Sequence, residues 1–281
     1  MRRVQFGLAA ALSLLVSSAY GGQVTLPPAQ FTPEYVEASG STGNGWTNAS
    51  KPVPAAPGTY TASVSGAFGA GSATLTQELL PSPFLSASDS ATATGAGPFG
   101  STVDVSSGSI LTYSVEISGP STVTSAPINV SGYGYAKGGP DDSGATAELD
   151  LWFGKQNPNF QNYNFVARSN NSPSSSSFSA NGVYLAPVNT PFEVALDVSV
   201  EGTAWVFGGE NHSPVSAYAY VDAAFSLTPA EINSGLSIVT SFGVGNSPLS
   251  TPGPTPGSGL ACLACLLLIG AAARARGVSA R

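Results

Sequence analysis

From Ile110 to Ile117 the side chains alternate: Leu111, Tyr113, Val115 and Ile117 form one set, and Ile110, Thr112, Ser114 and Glu116 the other. The same rule runs through Ala145, Ala147, Leu149, Leu151 and Phe153 against Thr146, Glu148, Asp150 and Trp152. It recurs at Val194, Leu196, Val198 and Val200 against Glu193, Ala195, Asp197, Ser199 and Glu201. Successive side chains of an extended strand point to opposite faces, so each run builds one apolar and one largely polar surface. Apolar surfaces of this kind must meet one another. No stretch of the body holds a helical period, so crossover helices are excluded and the fold expected is all-β, an antiparallel β-sandwich or jelly roll.

The longest alternating run is Val215 to Leu227, with Tyr218, Tyr220 and Asp222 on its less apolar side. Its length predicts a bend or bulge near Asp222. Further strands are expected at Thr59 to Phe68, Ser72 to Leu79, Leu85 to Thr94, Ile128 to Ala136 and Ser177 to Leu185, separated by clusters of Gly, Pro, Asn and Asp. One helical turn is signalled: Thr228-Pro-Ala-Glu231 supplies a capping hydroxyl, a proline at the first helical position and a glutamate three residues on, and Gly235 ends it.

The two ends read differently. Residues 1–22 have a basic start (Arg2, Arg3), an apolar run and small residues, the pattern of a signal helix cleaved after Ala19 or Gly21. A single β-domain is expected over 23–247, followed by a Pro/Gly-rich linker over 248–259. A sorting tail occupies 260–281, a short apolar helix closed by Arg274, Arg276 and Arg281. The apolar run 260–273 would rise about 21 Å as a helix against a hydrocarbon core of about 30 Å. It suits transient passage in the inner membrane better than a permanent anchor.

All sixteen carboxylates but only four of the nine cations lie between these ends, so the body carries a formal −12 against −7 for the whole chain. That acidity excludes nucleic acid as a partner. Both cysteines, Cys262 and Cys265, sit in the apolar tail, so the body carries no disulfide and is held by its own core.

Chemistry is sparse. His212 is the sole histidine and is read as a loop residue, which removes His-rich metal centres and leaves a hydrolytic triad unsupported. Asp141 and Asp142 are the best-placed cation ligands, weak calcium candidates in a segment whose first role is turn formation. Carboxylates such as Glu116, Glu148, Asp150, Glu193, Asp197 and Glu201 are spread over polar strand faces. Among the aromatics, Trp152, Tyr218 and Tyr220 lie on the less apolar sides of their strands and are the residues expected in a glycan platform, with ordinary cross-strand packing as the alternative. No catalytic residue, cofactor or firm metal site is expected.

Signal, Ser/Ala/Gly-rich β body, Pro-containing linker, apolar run and terminal arginines together resemble bacterial exported proteins with a PEP-CTERM sorting signal. Ile110 to Pro120, Ala217 to Pro229 and Phe242 to Ser247 are similar to stretches recurrent in that group. The Pro-Glu-Pro that names the signal is missing, and Pro252, Pro254 and Pro256 stand in its place. The resemblance implies an exosortase-like membrane protease acting on the tail, and association with extracellular polysaccharide. The function expected is a noncatalytic cell-surface or biofilm-matrix protein, exported and transiently anchored. The alternative is a carbohydrate-binding module or sugar-active enzyme on the same sandwich.

Overall fold

The computed structural model describes residues 25–32, 35–42, 45–95, 100–139, 143–155, 158–170, 174–208 and 210–247. The expected signal segment, the aspartate pair Asp141 and Asp142, the linker prolines Pro252, Pro254 and Pro256, and the tail with Arg274 and Arg276 lie outside them. Among the described residues sixteen strands follow in chain order: β1 (Gln30–Thr32), β2 (Tyr35–Thr42), β3 (Gly45–Pro52), β4 (Gly58–Gly66), β5 (Gly69–Glu78), β6 (Phe84–Ala93), β7 (Ser101–Ser118) and β8 (Ser125–Lys137). Then come β9 (Ser143–Trp152), β10 (Asn162–Asn170), β11 (Ser175–Ser179), β12 (Gly182–Pro187), β13 (Phe192–Phe207), β14 (Glu210–His212), β15 (Val215–Ser226) and β16 (Ser237–Thr240).

They form two antiparallel sheets. The front sheet runs β10-β9-β13-β7-β2-β3, and the back sheet runs β11-β8-β15-β6-β5-β4. β13 lies over β15 and β6, and β7 over β6 and β5. This is the face-to-face arrangement that the alternating runs require.

The long strands act as shared spines. One edge of β7 takes β2 at Ser101 to Ser107, β1 at Ile110 to Thr112 and β16 at Val115 to Ser118, while its other edge is paired along nearly its whole length by β13. β12 and β11 likewise divide one edge of β8. Of the bend or bulge expected near Asp222, the bulge is absent, since β15 stays in one continuous register with β8 from Tyr218 to Ser226. What changes there is the other edge: β6 ends opposite Asp222, and the Asn246 side chain then bonds Phe225 N–H and C=O at 2.7 Å each, in place of a strand partner.

The core is continuous between the sheets and mixes small with large side chains. Rings gather towards one end, with Phe153 and Phe192 centroids 4.6 Å apart and Tyr163 and Tyr184 4.7 Å apart. Close approach is bought with glycine: a Cβ at Gly134 would stand 2.0 Å from the Phe178 ring, and one at Gly40 2.1 Å from Phe68. The predicted turn forms as α1 (Pro229–Asn233) with Thr228 and Glu231 capping reciprocally, and Gly235 follows at φ +87°. Among the described residues no helix is long and apolar enough to cross a membrane.

Two polar pairs interrupt the apolar interior. Gln77 donates to Ser109 at 2.6 Å and Ser107 donates to Asp89 at 2.8 Å, each linking the back sheet to β7. Asp89 is only 4% exposed, and its second oxygen has no hydrogen-bond partner among the described residues. Burial therefore pushes its carboxyl up to about 8, against the opposing effect of the Ser107 hydrogen bond.

Candidate functional site

Strand parity decides which side chains reach solvent. On the front sheet, Val194, Leu196 and Val198 of β13 point into the core, so Glu193, Asp197, Glu201, Thr203 and Trp205 point out. Carrying that parity across the registers brings Glu37, Asp104, Glu116, Glu148 and Asp150 to the same outer face. Half of the sixteen carboxylates thus point to one side of the sheet, although Glu116 is buried there. Two cations reach this face: Lys155 pairs with Glu193 and sits 5.3 Å over the Trp152 ring, and Arg168, opposite Thr146 on β10, lies 3.7 Å from Glu148.

The three residues expected as a glycan platform are not brought together. Trp152 is on the outer face of the front sheet at the end of β9, whereas Tyr218 and Tyr220 are on the outer face of the back sheet. Each does lie on the polar side of its strand, but the two strands belong to different layers. Tyr220 is 7% exposed and ringed by Phe84, Tyr133, Tyr135 and Tyr218 with centroids 5.5 to 6.1 Å away. Burial, then the neighbouring Tyr133 and Asp222, raises its hydroxyl well above the usual tyrosine range. Burial likewise pushes Asp222 up to about 6, although Tyr133 N–H donates to it at 3.0 Å. These rings are occupied with one another.

A shallow groove crosses the front face instead. A cavity of about 530 Å³ is lined by Glu37, Ser39, Asp104, Glu201, Thr203 and Trp205, among others. One of about 410 Å³ adjoins it through Ser106 and Glu201 and reaches Gly144, Thr146 and Asn170. The floor is open because its side chains are small: Ser106 lies between Glu37 and Glu201, and a Cβ on Gly144 would stand 3.2 Å from Glu201 Oε1. Thr203 donates to Asp104 at 2.8 Å, fixing that carboxylate.

At one end, a single row of the sheet reads Trp46, Ser41, Thr102, Trp205, His212. Trp46 is 62% exposed, and it stands three strand spacings, about 14 Å, from Trp205. His212, expected in a loop, is in β14 and stacks on Trp205 with centroids 4.1 Å apart and planes 14° apart. It serves to hold a ring. Aromatic faces beside carboxylates and hydroxyls can stack on and hydrogen-bond a polar ring-shaped ligand. No cluster of three or more His, Cys, Asp or Glu able to hold a metal occurs among the described residues.

The sequence showed Trp46, Trp205 and Glu201 as residue types but not as neighbours. Strands β2 and β3 and the first half of β7 carry too little apolar alternation to be recognised, and without them the row containing both tryptophans cannot be drawn. A comparison with protein-family models and with curated proteins finds no match to this chain.

Proposed function

We propose that this chain is a noncatalytic, exported β-sandwich protein of the cell surface or extracellular matrix, delivered by its C-terminal tail. The observation that carries the reading is the layout: a signal-like start, a disulfide-free β body, a Pro/Gly linker, and an apolar run closed by arginines. In this reading a signal helix precedes the body and is removed, and a short apolar helix follows it. The body is a sandwich of jelly-roll kind, since strands that face each other across the layers, such as β8 and β9 or β10 and β11, are consecutive in the chain. The arginines hold the tail at the inner membrane until an exosortase-like protease acts near Pro252 to Pro256. The mass of the protein recovered outside the cells tests this. Loss of both end segments is expected, and a mature product that retains Arg281 contradicts it.

A second reading, carbohydrate binding without catalysis, is favoured by one observation: the front-sheet groove is lined by Glu37, Asp104, Glu201 and Trp205, and Trp46 stands in the row of Trp205. A glycan array probed with the full-length chain tests it. Binding that is lost in Trp46→Ala supports it, and an array without any bound glycan contradicts it.

A further inference from the structure

The groove has a charge that narrows what fills it. Glu37, Asp104 and Glu201 line one cavity, and no lysine or arginine of the described residues lines it with them. Covering these carboxylates strips water from three like charges, which a neutral ligand leaves uncompensated and an anionic one makes worse. A ligand that brings positive charge offsets that cost.

Two further features set its shape. The floor is made of Ser39, Ser106, Gly108, Thr146 and Ser199, hydroxyls and a glycine without the apolar pockets that anchor peptide side chains. At its end the Trp205 ring, already held against His212, and the exposed Trp46 offer two flat surfaces about 14 Å apart, enough for a short run of sugar rings.

We propose that the front-sheet groove binds a linear glycan bearing free amino groups, its rings on Trp46 and Trp205 and its ammonium groups on Glu37, Asp104 and Glu201. This rests on the carbohydrate-binding reading and gives it a ligand class. A pairing of ring stacking with ammonium–carboxylate contacts recognises both halves of such a polymer at once. The acidity of the whole face extends the attraction along the chain of the ligand.

The test is calorimetric titration of the full-length chain, at mildly acidic pH where the amines are protonated, with a glucosamine hexamer, its fully N-acetylated form, a galacturonic acid hexamer and hexalysine. The glucosamine hexamer is expected to bind at least about tenfold more tightly than the acetylated form, and the galacturonic acid hexamer not at all. Trp46→Ala and Glu201→Gln, both at exposed positions and each checked for native circular dichroism, are expected to weaken glucosamine binding about tenfold. Hexalysine is expected to bind weakly and without regard to Trp46. Equal affinity for the acetylated hexamer overturns the amine requirement while leaving carbohydrate binding in place. Hexalysine binding as tightly as the sugar overturns the glycan in favour of bare charge, and no sugar binding at all removes both readings.

Discussion

On the outer face of the front sheet, Glu37, Asp104 and Glu201 stand around a floor of serine, threonine and glycine, and Trp46 is 62% exposed. The outer face of the back sheet is its opposite: Tyr220 is closed in by four aromatic neighbours, and Asp222 beside it is pushed up by burial, as Asp89 is in the interior between the sheets. Around the groove the front face leaves its carboxylates and Trp46 to solvent, whereas the rings of the back face are packed on one another. A buried ring satisfied by neighbours contributes to stability, and an exposed one beside a groove is available for a ligand.

The largest expected effect is a fall of stability with pH carried by the buried carboxyls of the back sheet. Asp89 is raised from 3.8 to about 8 in the fold, so between those values the native state holds a proton that the unfolded chain has lost. Stability from this group is fully present below about pH 4 and is lost as pH rises towards 8, by on the order of 1 kcal/mol per pH unit. Asp222, raised to about 6, adds to the lower part of that window with the same sign. Urea midpoints measured from pH 4 to 9 are expected to fall, and Asp89→Asn to flatten the slope. A wild-type midpoint unchanged across that range contradicts the buried, protonated carboxyl.

Ring truncation comes next. Tyr220→Ala is expected to cost about 3 kcal/mol, because it empties the centre of an aromatic cluster. Trp46→Ala is expected to stay within about 0.5 kcal/mol, as for a surface substitution. Denaturant unfolding of the two variants side by side checks this, and equal losses erase the distinction between the faces. The smallest effect is a gain: Glu201→Gln relieves repulsion from Glu37 and Asp104 and is expected to stabilise by about 0.3 kcal/mol at low salt, vanishing in 1 M salt. A loss of stability at low salt instead would mean that Glu201 has a partner the geometry does not provide.

Much of the fold was legible in the sequence because the core strands obey a period of two. Leu111 to Ile117, Ala145 to Leu151 and Val194 to Val200 all face the core as their alternation requires. The pattern fails where the core itself is polar. Ser107 and Ser109 point inward to meet Asp89 and Gln77, so the first half of β7 reads as loop although it is central strand. Edge strand β3 is hidden for the opposite reason, since almost all of it is exposed and no apolar face marks it. The candidate site suffered most, because a row across a sheet depends on register, and register needs every intervening strand. Asp222 shows the limit of a length argument: a twelve-residue strand needed no bulge once Asn246 could replace the missing partner at Phe225.

The three tryptophans provide the most direct test of which end of the front face binds. All three are on the front sheet, but Trp152 lies about 40 Å along β13 from Trp205, at the far end of the same face, since it is paired with Glu193. Their indole N–H resonances, followed while the glucosamine hexamer is titrated into the full-length chain, report on each position separately. The Trp46 and Trp205 signals are expected to move together and saturate while that of Trp152 stays in place. Shifts confined to Trp152, or all three indoles still at saturating ligand, would contradict it.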